Sequence, residues 1–303
     1  MQIETVQYSG WPNCRRISNG TIELIATTDV GPRIIRFGFV GGENEFREVP
    51  EHAGLTGGSD WRSYGGHRLW HAPENQPRTY QPDNETVAVE PLAGGMRLVQ
   101  TVETYTGIRK EMDVYLSAEN GVRVIHRLCN TALFDVELAP WALSVMAPGG
   151  VAVFPLPERG VHPQDLLPSS TITLWPYTDL SDPRWTFGRQ FVLLRQDTSS
   201  QTPQKFGGEV SVDWCAYVRQ GHLFVKRFSF QPGAAYPDRG CNVEIFTNAK
   251  MLELETLGPL VQVKPGAVVE YVEDWYLLRD VPVPQSEADV LAHIFPRLVT
   301  LGG

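Results

Sequence analysis

The densest group of reactive side chains in this sequence is Ser59-Asp60-Trp61-Arg62-Ser63-Tyr64-Gly65-Gly66-His67-Arg68-Leu69-Trp70-His71-Ala72-Pro73-Glu74. It sets two Trp, one Tyr, two His, two Arg and two acids around a Gly-Gly pair. A saccharide site needs this mixture: aromatic faces cover the C–H surface of a pyranose, and charged groups meet its hydroxyls. The glycines let backbone approach a ligand or turn sharply. The competing interpretation is a rigid aromatic loop that closes one end of the fold. His67 and His71 stand four apart, with Glu74 three further on. On a helix this is metal-ligand spacing. Gly65-Gly66 and Pro73 argue against a helix, and on a strand the two His also share a face. The expectation is therefore no metal, with one His bonding a ligand and the other structural.

Two further segments carry charge in a patterned way. Met251-Leu252-Glu253-Leu254-Glu255-Thr256 alternates apolar and acidic, so Glu253 and Glu255 point to one side of a strand. If buried, two like charges raise at least one pKa and make a candidate acid or base; if exposed, they are solvated carboxylates. In Gly31-Pro32-Arg33-Ile34-Ile35-Arg36-Phe37, strict alternation puts Arg33 and Phe37 on one face. An inward Arg pairs with a carboxylate or an anionic ligand, whereas an outward one is a surface charge. An Arg-rich groove built from Arg33, Arg62 and Arg68 would favour a uronate or sugar phosphate. The sequence has no GxGxxG, P-loop, GxSxG or HExxH motif, so no cofactor is expected.

These groups must be positioned by strands. The 28 Gly and 23 Pro are scattered between short runs rich in Val, Ile, Leu, Thr and aromatics. That is the pattern of many short strands joined by turns. Strands are expected over residues 21–27, 33–40, 96–105, 110–117, 122–129 and 137–146. Others are expected over 151–154, 191–195, 213–219, 223–230, 242–247, 251–256 and 268–278, with hairpin turns at 118–121 and 219–221. One helix is expected after the Ser286…Asp289 capping pattern, covering a sheet edge or end. Residues 49–66 and 155–170 read as long irregular stretches. No composition shift marks a boundary, so residues 1–303 are expected to form one all-β domain of mostly antiparallel strands.

The bulk numbers fit a soluble globular protein, with 42% hydrophobic and 20% charged residues. The net charge of −9 repels phosphate backbones and anionic lipid heads, so neither nucleic acid nor membrane is an expected partner. Cys14, Cys129, Cys215 and Cys241 are far apart and form no CxxC, which reads as four separate thiols in a reducing compartment. The opening MQIETVQYSGW has no basic segment before an apolar run, so a cytoplasmic protein is expected. Oligomeric state is not legible.

Three segments resemble the galactose mutarotase-like (aldose 1-epimerase-like) superfamily. Asp29-Val30-Gly31-Pro32-Arg33-Ile34-Ile35 is similar to its opening strands. Tyr64-Gly65-Gly66-His67-Arg68-Leu69-Trp70-His71-Ala72-Pro73-Glu74 resembles the hallmark of a bacterial family within it that has no assigned activity. Leu252-Glu253-Leu254-Glu255-Thr256, with Pro265-Gly266 downstream, is similar to the strand that carries the epimerase carboxylate. The resemblance implies a supersandwich fold with few short helices and a concave sheet face that holds a small carbohydrate. It also implies Glu255 as the base that takes the anomeric proton, with a His protonating the ring oxygen. Trp141 stands where that His is expected, which leaves His67 or His71 to supply the acid. Arg33, Tyr64, Arg68, Trp70, Glu74, Trp141 and Glu253 are then the expected substrate-lining residues. The groove would be floored by the strands of Arg33 and Glu255 and overhung by a loop at 64–74. The implied function is a sugar isomerase. The alternatives are a non-catalytic carbohydrate-binding protein or a carbohydrate lyase or hydrolase, for which Tyr64, Tyr177 and the Glu253/Glu255 pair are candidates.

Overall fold

In the computed structural model, which describes residues 2–301, the strands form two stacked antiparallel sheets. The first, here called the site sheet, runs in the order Gln2–Tyr8, Trp11–Ser18, Ile22–Thr27, Arg33–Phe39, His67–Ala72, Val136–Met146, Met251–Leu257, Val243–Asn248, Gln204–Gly208 and Ile172–Leu174. Val261–Val263 pairs with the start of Val136–Met146. The second, the back sheet, runs in the order Trp185–Phe187, Phe191–Arg195, Val151–Pro155, Trp214–Arg219, His222–Phe228, Val268–Leu278, Gly121–Asn130, Ile108–Leu116, Gly95–Val99 and Ala88–Leu92.

Period-two alternation builds the core between them. Leu24, Phe37, Leu69, Ala142, Leu252 and Leu254 of the site sheet meet Met112, Val124, Phe224 and Trp275 of the back sheet. The Phe37 ring lies 5.7 Å from Phe224 and 5.9 Å from Trp275. The expected hairpins close with Asn120 (φ 64°) and Gln220 (φ 49°) in the left-handed region, as tight antiparallel turns require. The strand expected over 96–105 ends at Val99, because the chain then turns through Glu103–Gly107.

The helical segment begins at the expected capping box, Ser286 with Asp289. It lies against a sheet face rather than an edge or end. Val290, Ile294 and Leu298 pack on Val151, Val153, Leu193 and Val225 of the back sheet. Those outward strand residues are apolar, so this part of the back sheet needs a cover. The four cysteines are free and buried; burial pushes Cys14, Cys215 and Cys241 up to about 12 and also raises Cys129.

Two sequence expectations change here. Residues 64–74 are not a loop over the groove. His67–Ala72 is a central strand of the site sheet, pairing Trp70 with Trp141 and Arg68 with Leu143. The glycines before it serve backbone packing: a Cβ on Gly65 would meet the Arg47 carbonyl oxygen at 2.0 Å, and one on Gly66 the Ile34 carbonyl oxygen at 2.4 Å. The second change is a β-bulge. Ile25 pairs with Arg36 while Ala26 pairs with Ile34, leaving Ile35 as the extra residue. The bulge reverses the alternation, so Phe37 enters the core while Arg33, paired with Arg68, faces outward.

Candidate functional site

On the outer face of the site sheet, alternation on neighbouring strands gathers the polar groups. His67–Ala72 presents Arg68 and Trp70, Val136–Met146 presents Trp141 and Leu143, and Met251–Leu257 presents Glu253 and Glu255. Register then sets the rows: Leu143 lies between Arg68 and Glu255, and Glu244 lies beside Glu255 on the next strand. Beyond it, Gln204–Gly208 adds Lys205. Trp61, Glu74, Tyr80, Tyr177 and Phe246 complete a cavity of about 340 Å³ above these rows.

Two resident cations organise the charges. Arg68 Nη2 donates to Glu253 Oε1 at 2.9 Å, and its guanidinium lies 4.4 Å from the Trp70 ring centre. Its Nε and Nη1 are buried without a partner. Lys205 Nζ sits 2.7 Å from Glu244 Oε2 and 3.2 Å from Glu255 Oε2. The same ammonium lies 4.6 Å from the Trp175 ring centre and 5.0 Å from that of Trp141. Trp141 Nε1 donates to Glu255 Oε2 at 2.8 Å, whereas Glu255 Oε1 is buried without a partner.

Two buried carboxyls thus share one ammonium. Burial pushes the Glu255 carboxyl above its ordinary range, with Lys205 pulling the other way and Glu253 adding to the rise. Burial raises Glu244 strongly, again opposed by Lys205 and reinforced by Glu255. For Lys205, burial disfavours the charge, but Glu244 and Glu255 outweigh it and hold the ammonium well above its usual range.

Of the residues expected from sequence, Arg68, Trp70, Glu74, Trp141, Glu253 and Glu255 line the cavity together. Glu74 is bonded by the Tyr80 hydroxyl. The other four lie elsewhere. Arg33 is fully buried, pairing with Asp83 at 2.7 Å and donating to the Gly65 carbonyl at 2.6 Å. Tyr64 packs under Trp11 and donates to Asn84 Oδ1 at 2.8 Å. Arg62 donates to the Gly57 carbonyl at 2.8 Å, so the three arginines do not converge.

His67 and His71 do share a strand face, but it is the face toward the back sheet. Because they alternate with Arg68 and Trp70, the strand cannot present both sets to the cavity. His126 Nδ1 lies 3.1 Å from the Tyr271 carbonyl oxygen, which accepts only, so Nδ1 carries the proton and Nε2 accepts. His67 Nε2 must then donate to His126 Nε2 across 2.7 Å, and His67 Nδ1 accepts from Ser144 Oγ at 2.9 Å. This set of bonds is complete with both rings neutral, in keeping with the way burial lowers His126 to about 4 and His67 well below its usual value. His71 Nδ1 accepts from Arg78 at 3.2 Å, and its Nε2 donates to Glu103 at 3.3 Å.

His67, His126 and Glu273 also form a possible metal-ligand trio. The donor set does not fit an ion. All four ring nitrogens are hydrogen-bonded, and Glu273 already takes Thr256, Trp275 Nε1 at 2.8 Å and the Lys226 ammonium at 2.8 Å. A cation there would face Lys226 directly.

Sequence reasoning missed Lys205, Glu244, Tyr80 and Phe246. Gln204–Gly208 is five residues long with two glycines, too weak a signal for a strand, so Lys205 had no assigned face. Glu244 lay on an expected strand, and its cross-strand place beside Glu255 was the signal available.

A scan of protein-family models and a search of curated proteins gave no match. Solved structures do match over most of the chain. A galactose mutarotase-like protein from Lactobacillus casei superposes with a TM-score of 0.57 at 8% identity, covering 88% of this chain and 100% of its own. A galactose mutarotase related enzyme from Lactobacillus acidophilus gives 0.54 at 9% identity, covering 88% and 98%. A galactose mutarotase-like protein from Clostridium acetobutylicum gives 0.52 at 11% identity, covering 92% and 98%. At these identities the likeness speaks to architecture alone, and by it the two stacked sheets of this chain are the galactose mutarotase-like fold.

Proposed function

We propose that this chain binds an aldose in the cavity above Trp70 and Trp141 and opens its ring, with Glu255 as the base. The walls support saccharide binding: Trp61, Trp70, Trp141, Tyr80 and Tyr177 offer apolar faces, while Arg68 and Glu255 offer a donor and an acceptor. The names of the structural neighbours, galactose mutarotase-like and galactose mutarotase related, point to the same chemistry.

The observation that carries the proposal is Glu255 Oε1. It is a buried oxygen of a carboxyl that lines the cavity, and it has no hydrogen-bond partner among the described residues. Most buried polar oxygens are hydrogen-bonded, and a base needs an oxygen left free to take a proton; Glu255 combines such an oxygen with a place on the cavity wall. The direct test is anomer interconversion over a panel of aldoses, followed by polarimetry or NMR. Acceleration that disappears in Glu255→Gln supports the reading. No acceleration with any sugar removes it, and full activity in Glu255→Gln removes Glu255 as the base.

A second reading is favoured by one specific observation: among the described residues lining the cavity there is no imidazole. On that reading the cavity binds a saccharide without turning it over. Ligand-observed NMR showing binding with no change in anomer exchange would select it.

A further inference from the structure

We propose that Lys205 is the acid of the ring-opening step, giving its proton to the ring oxygen, with Glu244 behind it as the source that restores that proton. The inference rests on the ring-opening reading and supplies the group that His67 and His71 do not. Geometry leaves few other candidates. Arg68 does not give up a proton in proteins, and the indole N–H groups are donors only. Tyr80 commits its hydroxyl to Glu74, and Tyr177, unlike Lys205, makes no hydrogen bond to Glu255. Lys205 lines the cavity, and its Nζ lies 3.2 Å from Glu255 Oε2. An acid and a base side by side suit this reaction, because the ring oxygen and the anomeric oxygen are bonded to the same carbon.

Glu244 has the place of a reservoir. It is fully buried, 2.7 Å from Lys205, and absent from the cavity wall. Neither of its oxygens has a hydrogen-bond partner other than that ammonium. With two carboxyls on one ammonium, one of the acids is best kept protonated. The groups facing the cluster are Glu253 and Glu255 on Met251–Leu257, Tyr177 from the loop after Ile172–Leu174, and Cys241 and Asp238 ahead of Val243–Asn248. None adds a second cation to it.

The step balances. The anomeric O–H proton moves to Glu255 Oε1, and its electron pair forms the carbonyl. The bond from the anomeric carbon to the ring oxygen breaks, and that oxygen takes a proton from Lys205. Glu244 then returns a proton to the lysine. Glu255 has gained one proton and Glu244 has lost one; closure on either face of the carbonyl reverses both transfers.

The test measures anomer exchange of freshly dissolved α-D-glucose and α-D-galactose by polarimetry on the full chain, from mildly acidic to mildly alkaline pH. Sugar binding is measured in parallel by ligand-observed NMR, and folding by thermal unfolding. Lys205→Arg keeps the charge between Glu244 and Glu255 but has no proton to give. It is expected to lower the rate about 100-fold or more, with binding within about threefold. Lys205→Met should do the same to the rate. Glu244→Gln should leave binding in place, cut the rate about tenfold and flatten the alkaline limb of the pH profile. If Lys205→Arg keeps more than half the rate while Glu255→Gln is inactive, Lys205 is not the acid and ring opening stands. If the alkaline limb survives in Glu244→Gln, Glu244 is not the source. If the unaltered chain accelerates neither sugar, the ring-opening reading fails and takes this inference with it.

Discussion

Two carboxyls around one buried ammonium make a stability prediction that needs no substrate. Glu244→Gln leaves Lys205 paired with Glu255 at 3.2 Å, and Glu255→Gln leaves it paired with Glu244 at 2.7 Å. Each single change keeps one ion pair and removes a carboxyl whose pKa the fold has raised. A raised carboxyl contributes stability fully below its unfolded pKa and loses it as pH rises through the folded pKa. At neutral pH its removal is therefore cheap, and each single variant should lie within about 1 kcal/mol of the parent. Glu244→Gln/Glu255→Gln leaves the ammonium with neither partner, and stranding a buried charge costs about 3–5 kcal/mol. The coupling between the sites should therefore be at least about 1 kcal/mol. Urea unfolding at neutral pH, with equal m-values for all four proteins, measures it. If the double variant equals the sum of the singles within about 0.5 kcal/mol, Lys205 does not depend on this pair and the argument fails.

Three more outcomes can be checked on the fold itself. His126 is held neutral to about 4 from an ordinary 6.5, so the unfolded chain binds the extra proton first as pH falls. Stability should drop between those values by up to about 3 kcal/mol, and a flat urea midpoint across that window would contradict the neutral His67–His126 chain. Glu103, held down to about 2 from an ordinary 4.5 against its own burial by Lys110 and His71, works at lower pH: its contribution is full above 4.5 and fades toward 2. Glu103→Gln strands Lys110, which sits 2.5 Å away, and should cost about 3–5 kcal/mol in urea unfolding at neutral pH. Gly66→Ala puts a Cβ 2.4 Å from a backbone oxygen at φ +70° and should lose about 2 kcal/mol or more in the same assay.

The strand carrying Glu255 was legible because apolar and acidic residues alternate along it, and the strand carrying Trp141 because it is an apolar run. What escaped has definite physical causes. His67–Ala72 is buried on both faces and each face mixes polar with apolar side chains, so it carries no period-two signal and read as a binding loop. Arg68 and Trp70 line the cavity, whereas His67 and His71, expected beside them, face the back sheet. The bulge at Ile35 parts Arg33 from Phe37 and leaves it facing the same side as Arg68, but Asp83 and the Ser63 and Gly65 carbonyls hold it away from the cavity. Lys205 was invisible because its strand is short and its importance comes entirely from partners at positions 244 and 255, distant in sequence.

The buried cysteines give the fold four internal reporters. With their thiols pushed upward by burial, they offer little thiolate to a probe until the strand that holds each one opens. Cys14 reports on the second strand of the site sheet, Cys129 and Cys215 on separate parts of the back sheet, and Cys241 on the segment beside Glu244. Rates of labelling under native conditions, resolved thiol by thiol, would therefore map which sector of the sandwich breathes first, and whether a saccharide slows the sector around Cys241.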